Sequence, residues 1–189
     1  VNAWDKSHED INSYAFGLVV PFSKNIVWRP LGYYVDYQNQ GNAYDFLLMN
    51  GLGLTFGSFK FEGEFNIRWR QWDEAFGNED WDTHVLSGWA EASFGMGPFN
   101  FGGGLFYLEG TDDQDPQDSK ALWGIGAEFQ PLLLLTSEDL GLIWNTSGVA
   151  NGTPGSSGYT GFYGKASFKI SDEMKISGIV GYVEANEME

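Results

Sequence analysis

Lys60, Glu62, Glu64, Arg68 and Arg70 occupy even positions of one short segment, residues 59–71, and no charged residue occupies an odd position there. Charges of both signs held in one row create a field that sorts solutes by charge and dipole. The plain alternative is a row of solvated side chains that pair with neighbouring strands, and for any one of the five it is the commoner case. The odd positions hold Phe59, Phe61, Gly63, Phe65, Ile67 and Trp69. Side chains of a β-strand alternate between faces with a period of two, so the segment is a strand with one apolar and one charged face.

Other chemistry finds less support. The chain has no cysteine, which removes disulfides, thiolate metal sites and cysteine nucleophiles. His8 and His84 are its two histidines, and His8-Glu9-Asp10 lacks a metal-ligand spacing. Ser and Asp are plentiful enough to leave a Ser-His-Asp arrangement open, but no nucleophile-elbow motif is present. The acidic run at 111–118 offers oxygen ligands for calcium. It lacks the glycine of the sharp turn and the closing glutamate, so a solvated loop is the better reading. Gly102-Gly103-Gly104 lies in a strand pattern rather than before a helix, so it is relief for large neighbours and not a phosphate loop. No catalytic group, metal or cofactor is expected.

The elements that must position the charged row have the same alternating pattern. Strands are expected at residues 12–21, 26–37, 44–56, 59–71, 84–96, 99–108, 120–131, 140–145, 159–170 and 174–182. The same alternation adds Glu91, Glu128, Lys165 and Lys169 to the charged face. In 26–37, Leu31, Tyr33, Val35 and Tyr37 agree in phase while Ile26 and Trp28 do not. A bulge at Pro30 would restore one apolar face. Tyr14, Tyr33, Tyr37, Tyr44, Phe56, Phe59, Trp69, Phe94, Phe99, Tyr107, Trp144 and Tyr182 fall near strand ends, where interfacial aromatic girdles lie.

At about 12 residues, the 59–71 strand is roughly twice the common strand length. Connections alternate between short turns and long polar loops, which is the pattern of an up-and-down meander with unequal ends. No run of 18 apolar residues exists, so a membrane-spanning helix is excluded. The formal net charge of -16 argues against nucleic acid and against adsorption to anionic lipid through a basic patch. The acidic balance also implies a mild preference for cations in any charged path.

The hairpin Phe56-Gly57-Ser58-Phe59-Lys60-Phe61-Glu62-Gly63-Glu64-Phe65, and residues 159–182 with their Lys169-Ile170-Ser171-Asp172-Glu173-Met174-Lys175 turn, resemble Gram-negative outer-membrane porins. The likeness is to those of delta-class, sulfate- or metal-reducing proteobacteria. The resemblance implies an all-β, antiparallel up-and-down transmembrane β-barrel. It also implies a passive diffusion channel for small hydrophilic solutes, set in lipid and lipopolysaccharide of the bacterial outer membrane, often as a homo-trimer. Residues 1–189 are expected to form one β-barrel domain. Both termini read as lying on the long-loop side, so the expectation is an internal part of a barrel of about 16–18 strands. The competing readings are a closed ten-strand barrel and a soluble or surface β-sheet module that stacks carbohydrate on Trp and Tyr.

Overall fold

The computed structural model describes residues 11–37, 43–72, 81–110 and 159–186. Every regular element among them is a strand: β1 Ile11–Gly17, β2 Val20–Ser23, β3 Ile26–Tyr37, β4 Ala43–Phe56, β5 Phe59–Trp72, β6 Trp81–Met96, β7 Phe99–Leu108, β8 Tyr159–Lys169 and β9 Lys175–Ala185. They form one antiparallel sheet in chain order, β1-β3-β4-β5-β6-β7-β8-β9, with β2 also paired to β3. β1 and β2 lie along successive halves of β3, with a register shift between Pro21 and Ser23. The central strands are long, 14 residues in β4 and β5 and 16 in β6.

Tight turns close one end of the sheet. Gly57-Ser58 joins β4 to β5 and Gly97-Pro98 joins β6 to β7, and both glycines have φ of 59°. A two-residue hairpin needs a positive φ at its first central position, which glycine supplies without steric cost. Proline fits the second, where φ is negative. Ser171 Oγ accepts from the Glu173 and Met174 amides in the β8–β9 turn. The other connections, around 38–42, 73–80 and 111–158, leave from the opposite end.

The two faces have inverted character. One, here the inner face, contains all the buried side chains among the described residues: Val35, Asp45, Leu47, Asn66, Arg68, Arg70, Val85, Phe106, Leu108 and Tyr159. Its apolar part is a cluster of Val85, Phe106, Leu108 and Tyr159, with Trp89, Tyr163 and Val183 against it, at the long-loop end. The outer face exposes rings and aliphatic chains on nearly every strand, among them Phe16 at 69 %, Leu105 at 60 % and Val180 at 77 % exposure.

Glycines on the inner face serve as floor for the side chains of the next strand. A Cβ on Gly104 would stand 2.7 Å from the Tyr163 ring and 2.8 Å from the Ala90 carbonyl oxygen. A Cβ on Gly161 would stand 2.3 Å from the Phe106 ring, and one on Gly53 would stand 3.3 Å from the Arg29 guanidinium.

The expected all-β, antiparallel up-and-down meander is observed; among the described residues it is an open sheet, with β1 and β9 at its edges, and not a closed barrel. Two expectations are corrected. No bulge occurs at Pro30, because β3 pairs with β4 in unbroken register from Ile26 to Tyr37. Ile26, Trp28 and Tyr34 therefore share the outer face, and Leu31, Tyr33 and Val35 belong to the inner one. Finally, β7 pairs along its length with β8, so no strand intervenes between them; the strands expected at 120–131 and 140–145 lie outside the described residues.

The glycine floor sets a testable contrast. Gly104→Val is expected to destabilise the folded protein by about 1–3 kcal/mol through overpacking. Gly164→Val, on the outer face with nothing within 4 Å of its Cβ position, is expected to be near neutral. Tryptophan-fluorescence unfolding of detergent-folded protein measures both, and equal midpoints would contradict the packing.

Candidate functional site: the charged inner face

β4 and β5 build the first part of the site. Their register puts Asp45 opposite Arg70 and leaves Arg68 two residues along on the same face. Asp45 Oδ1 accepts from Arg70 Nε at 2.9 Å, and its Oδ2 accepts from Arg68 Nη2. Asp45 is 4 % exposed, Arg68 5 % and Arg70 6 %. Charge-assisted bonds of this kind are the strong ones, and a buried ion needs them to offset lost hydration. One carboxylate thus faces two guanidiniums. Beside them, Asn66 Nδ2 donates to Glu64 Oε1 at 2.9 Å. The buried Asn66 Oδ1 has no hydrogen-bond partner among the described residues.

β6, β7 and β8 build the second part. Lys165 Nζ donates to Glu91 Oε1 at 2.5 Å, and Tyr163 Oη donates to Glu91 Oε2 at 2.6 Å. Glu91 is on β6 and its partners are on β8, two strands away and thus about 10 Å apart in backbone. The bridge crosses β7 at Gly102 and Gly104, opposite Lys165 and Tyr163. A side chain there would block it, since a Cβ on Gly102 would stand 3.0 Å from Lys165 Cε. This is a concrete role for Gly102 and Gly104, the first and last glycines of the triplet.

Toward the tight turns the inner face opens to solvent. Lys60 and Glu62 are exposed on β5. A recess of about 320 Å³ is lined by Ser93, Asn100, Lys165, Ser167, Lys175 and Ser177. Lys169 Nζ pairs with Asp172 at 2.7 Å in the neighbouring turn. Hydroxyls, an amide and ammonium groups share this recess with the side chain of Ile179.

The structure brings Lys60, Glu62, Glu64, Arg68, Arg70, Glu91, Lys165 and Lys169 together on this face; Glu128 lies outside the described residues. Arg29, Asp45, Tyr163 and Lys175 join them and were missed. Arg29 was hidden by the misassigned phase of β3, and Asp45 shows its role only once paired with Arg70. Of the aromatics, Tyr14, Tyr44, Phe56, Phe59, Trp69, Phe94, Phe99, Tyr107 and Tyr182 are on the outer face. Tyr33 is on the inner one, a correction that follows from the unbroken β3 register. Trp144 is outside the described residues. His84 is on the outer face, opposite Trp69 and remote from the charged cluster. No group of three or more His, Asp or Glu among the described residues is arranged to hold a metal.

Outer aromatics form ladders near both ends. Tyr14, Tyr34 and Tyr44 follow one another at 6.3 and 6.0 Å between ring centroids, and Phe46 stacks on Trp69 at 5.5 Å, all toward the long loops. Phe99 meets Phe101 at 6.1 Å and Phe168 at 4.8 Å near the turns. Comparison with known protein families, with curated proteins and with solved structures returns no match.

Asp45→Ala removes the carboxylate that both buried guanidiniums share and is expected to cost about 3–5 kcal/mol. Asp45→Asn, which keeps an acceptor, is expected to cost less. Denaturant unfolding in detergent measures the two, and an Asp45→Ala protein within about 1 kcal/mol of the parent would show that the pair is not structural.

Proposed function

We propose that the protein is an outer-membrane porin, a passive diffusion channel for small hydrophilic solutes and ions. Its outer face meets lipid and its inner face lines a water-filled path. The observation that carries this reading is the inverted partition: buried Asp45, Asn66, Arg68 and Arg70 on one face, exposed Phe, Leu, Val and Tyr on the other. Soluble proteins rarely expose a contiguous apolar patch beyond a few hundred Å², and here the apolar face extends across the whole sheet. A bilayer removes that cost, since burying a large apolar side chain is worth about 1.5–3 kcal/mol.

The dimensions support the same reading. Phe59 to Trp69 on β5 spans about 34 Å along the strand and, at a tilt near 45°, about 24 Å of height. Barrel membrane proteins carry an apolar band about 25 Å tall, flanked by aromatic girdles. Asp36 and Glu184, the charged side chains described on the outer face, both sit at its long-loop rim opposite Tyr44 and Thr160. In hydrocarbon an unpaired backbone group costs several kcal/mol, so the β1 and β9 edges require partners. On this reading closure comes from pairing β1 with β9, or from further strands, and a homo-trimer in lipid and lipopolysaccharide is the assembly implied.

In the channel, solutes cross by diffusion, with no cofactor and no step of chemistry. Rigid ion pairs at Asp45 and Glu91 hold the inner wall in place, and the hydroxyl- and amine-lined recess keeps it wet. The protein is expected to leave the membrane fraction only with detergent, and on reconstitution to make liposomes permeable to small sugars. A protein that stays monodisperse in detergent-free buffer, with no permeability, would sink the proposal and favour the carbohydrate-binding module.

A further inference from the structure

The chain is strongly acidic, with 26 Asp and Glu against 10 Lys and Arg. The inner face has the opposite balance. Among the residues of the described strands, seven basic ones stand on it, Arg29, Lys60, Arg68, Arg70, Lys165, Lys169 and Lys175, against four acidic ones, Asp45, Glu62, Glu64 and Glu91. No basic residue among the described strands falls on the outer face. Seven of the ten basic residues of the chain have thus been gathered onto the one surface a solute would meet.

Pairing sharpens the imbalance. Asp45 is committed to Arg68 and Arg70. Both Glu91 oxygens are taken by Lys165 and Tyr163, and Glu64 accepts from Asn66. Arg29, Lys60 and Lys175 make no ion pair among the described residues, and Glu62 is the one inner carboxylate without a hydrogen bond there. Arg29 lies over Gly51 and Gly53, so no neighbouring side chain covers its guanidinium on that side. Lys175 shares its recess with Lys165, Asn100 and three serine hydroxyls, all able to donate to an anion.

We infer that the path along the inner face is selective for anions, taking small inorganic and carboxylate-bearing anions ahead of cations, opposite to what the net charge of the chain implies. The inference rests on the channel reading above. A field inside a narrow low-dielectric channel is set by the charges on its wall, whereas charges more than a Debye length away, about 8 Å at physiological salt, are screened. Arg29, Lys60 and Lys175 are the selectivity determinants, because their charge is not neutralised by a fixed partner.

The test is the reversal potential of the reconstituted protein in a planar bilayer under a potassium chloride gradient. The expected result is a potential of the sign set by chloride, with a chloride-to-potassium permeability ratio above one. Arg29→Gln, Lys60→Gln and Lys175→Gln should each lower that ratio, and the triple variant should bring it to one or below. Glu184→Gln, on the outer rim, should leave it unchanged. A potassium-signed potential, or a ratio indifferent to the three variants, would overturn the inference while leaving the channel intact. Absence of any conductance would overturn the channel reading and the selectivity with it. Single-channel conductance of each variant, read in the same traces, separates lost selectivity from lost folding.

Discussion

Every backbone N–H and C=O of a sheet that meets hydrocarbon must find its partner in the sheet's own ladder. On the proposed channel reading, the rest of this structure follows from that constraint. It favours long strands in unbroken register, and β3 through β6 are paired over 12 to 14 consecutive positions. It confines irregularity to the edge, where the β2 register shift occurs. It also makes the two faces independent, since a period of two sends neighbouring residues to opposite sides. One face is then free to become apolar while the other collects charge.

On the charged face the difficulty is different, because polar groups must be held in place and the apolar cluster there is confined to the long-loop end. Two devices meet it. Cross-strand ion pairs, Asp45 with Arg68 and Arg70, join adjacent strands, and Glu91 with Lys165 and Tyr163 spans two strands at once. Glycine provides the room: Gly102 and Gly104 clear the path between Glu91 and its partners, and Gly51 and Gly53 make space for Arg29. Charged residues and glycines on the inner wall, beside one apolar cluster, with exposed rings and aliphatic chains on the outer wall, differ from the distribution that a soluble sandwich core requires.

Much of the architecture was legible in the sequence wherever one face was purely apolar. β4, β5, β7 and β8 announce their faces residue by residue, and the Gly57-Ser58 and Gly97-Pro98 turns announce their ends. β3 was misleading because aromatic residues occur on both its faces, Trp28 and Tyr34 outside and Tyr33 inside. Pro30 looked like a break although the register runs through it. The charged row on β5 was visible as a row, but its partners were not. Asp45 and Arg70 are 25 residues apart, and Glu91 and Lys165 are 74 apart, so only strand order and register could join them. The direct pairing of β7 with β8 was hidden for the same reason, since local pattern carries no information about which strand lies next to which. Net charge is a sum over segments and does not say which face each residue serves.

The central claim is that the outer face lies against lipid and the inner face against water. The natural absence of cysteine makes it open to a direct measurement. Single cysteines would be placed at Phe61, Phe65, Lys60 and Glu62 of β5 in membrane-embedded protein and challenged with a charged, membrane-impermeant thiol reagent. Labelling at 60 and 62 with protection at 61 and 65 until detergent is added is the expected result. Equal labelling at all four positions, or protection at 60 and 62 with labelling at 61 and 65, would contradict it.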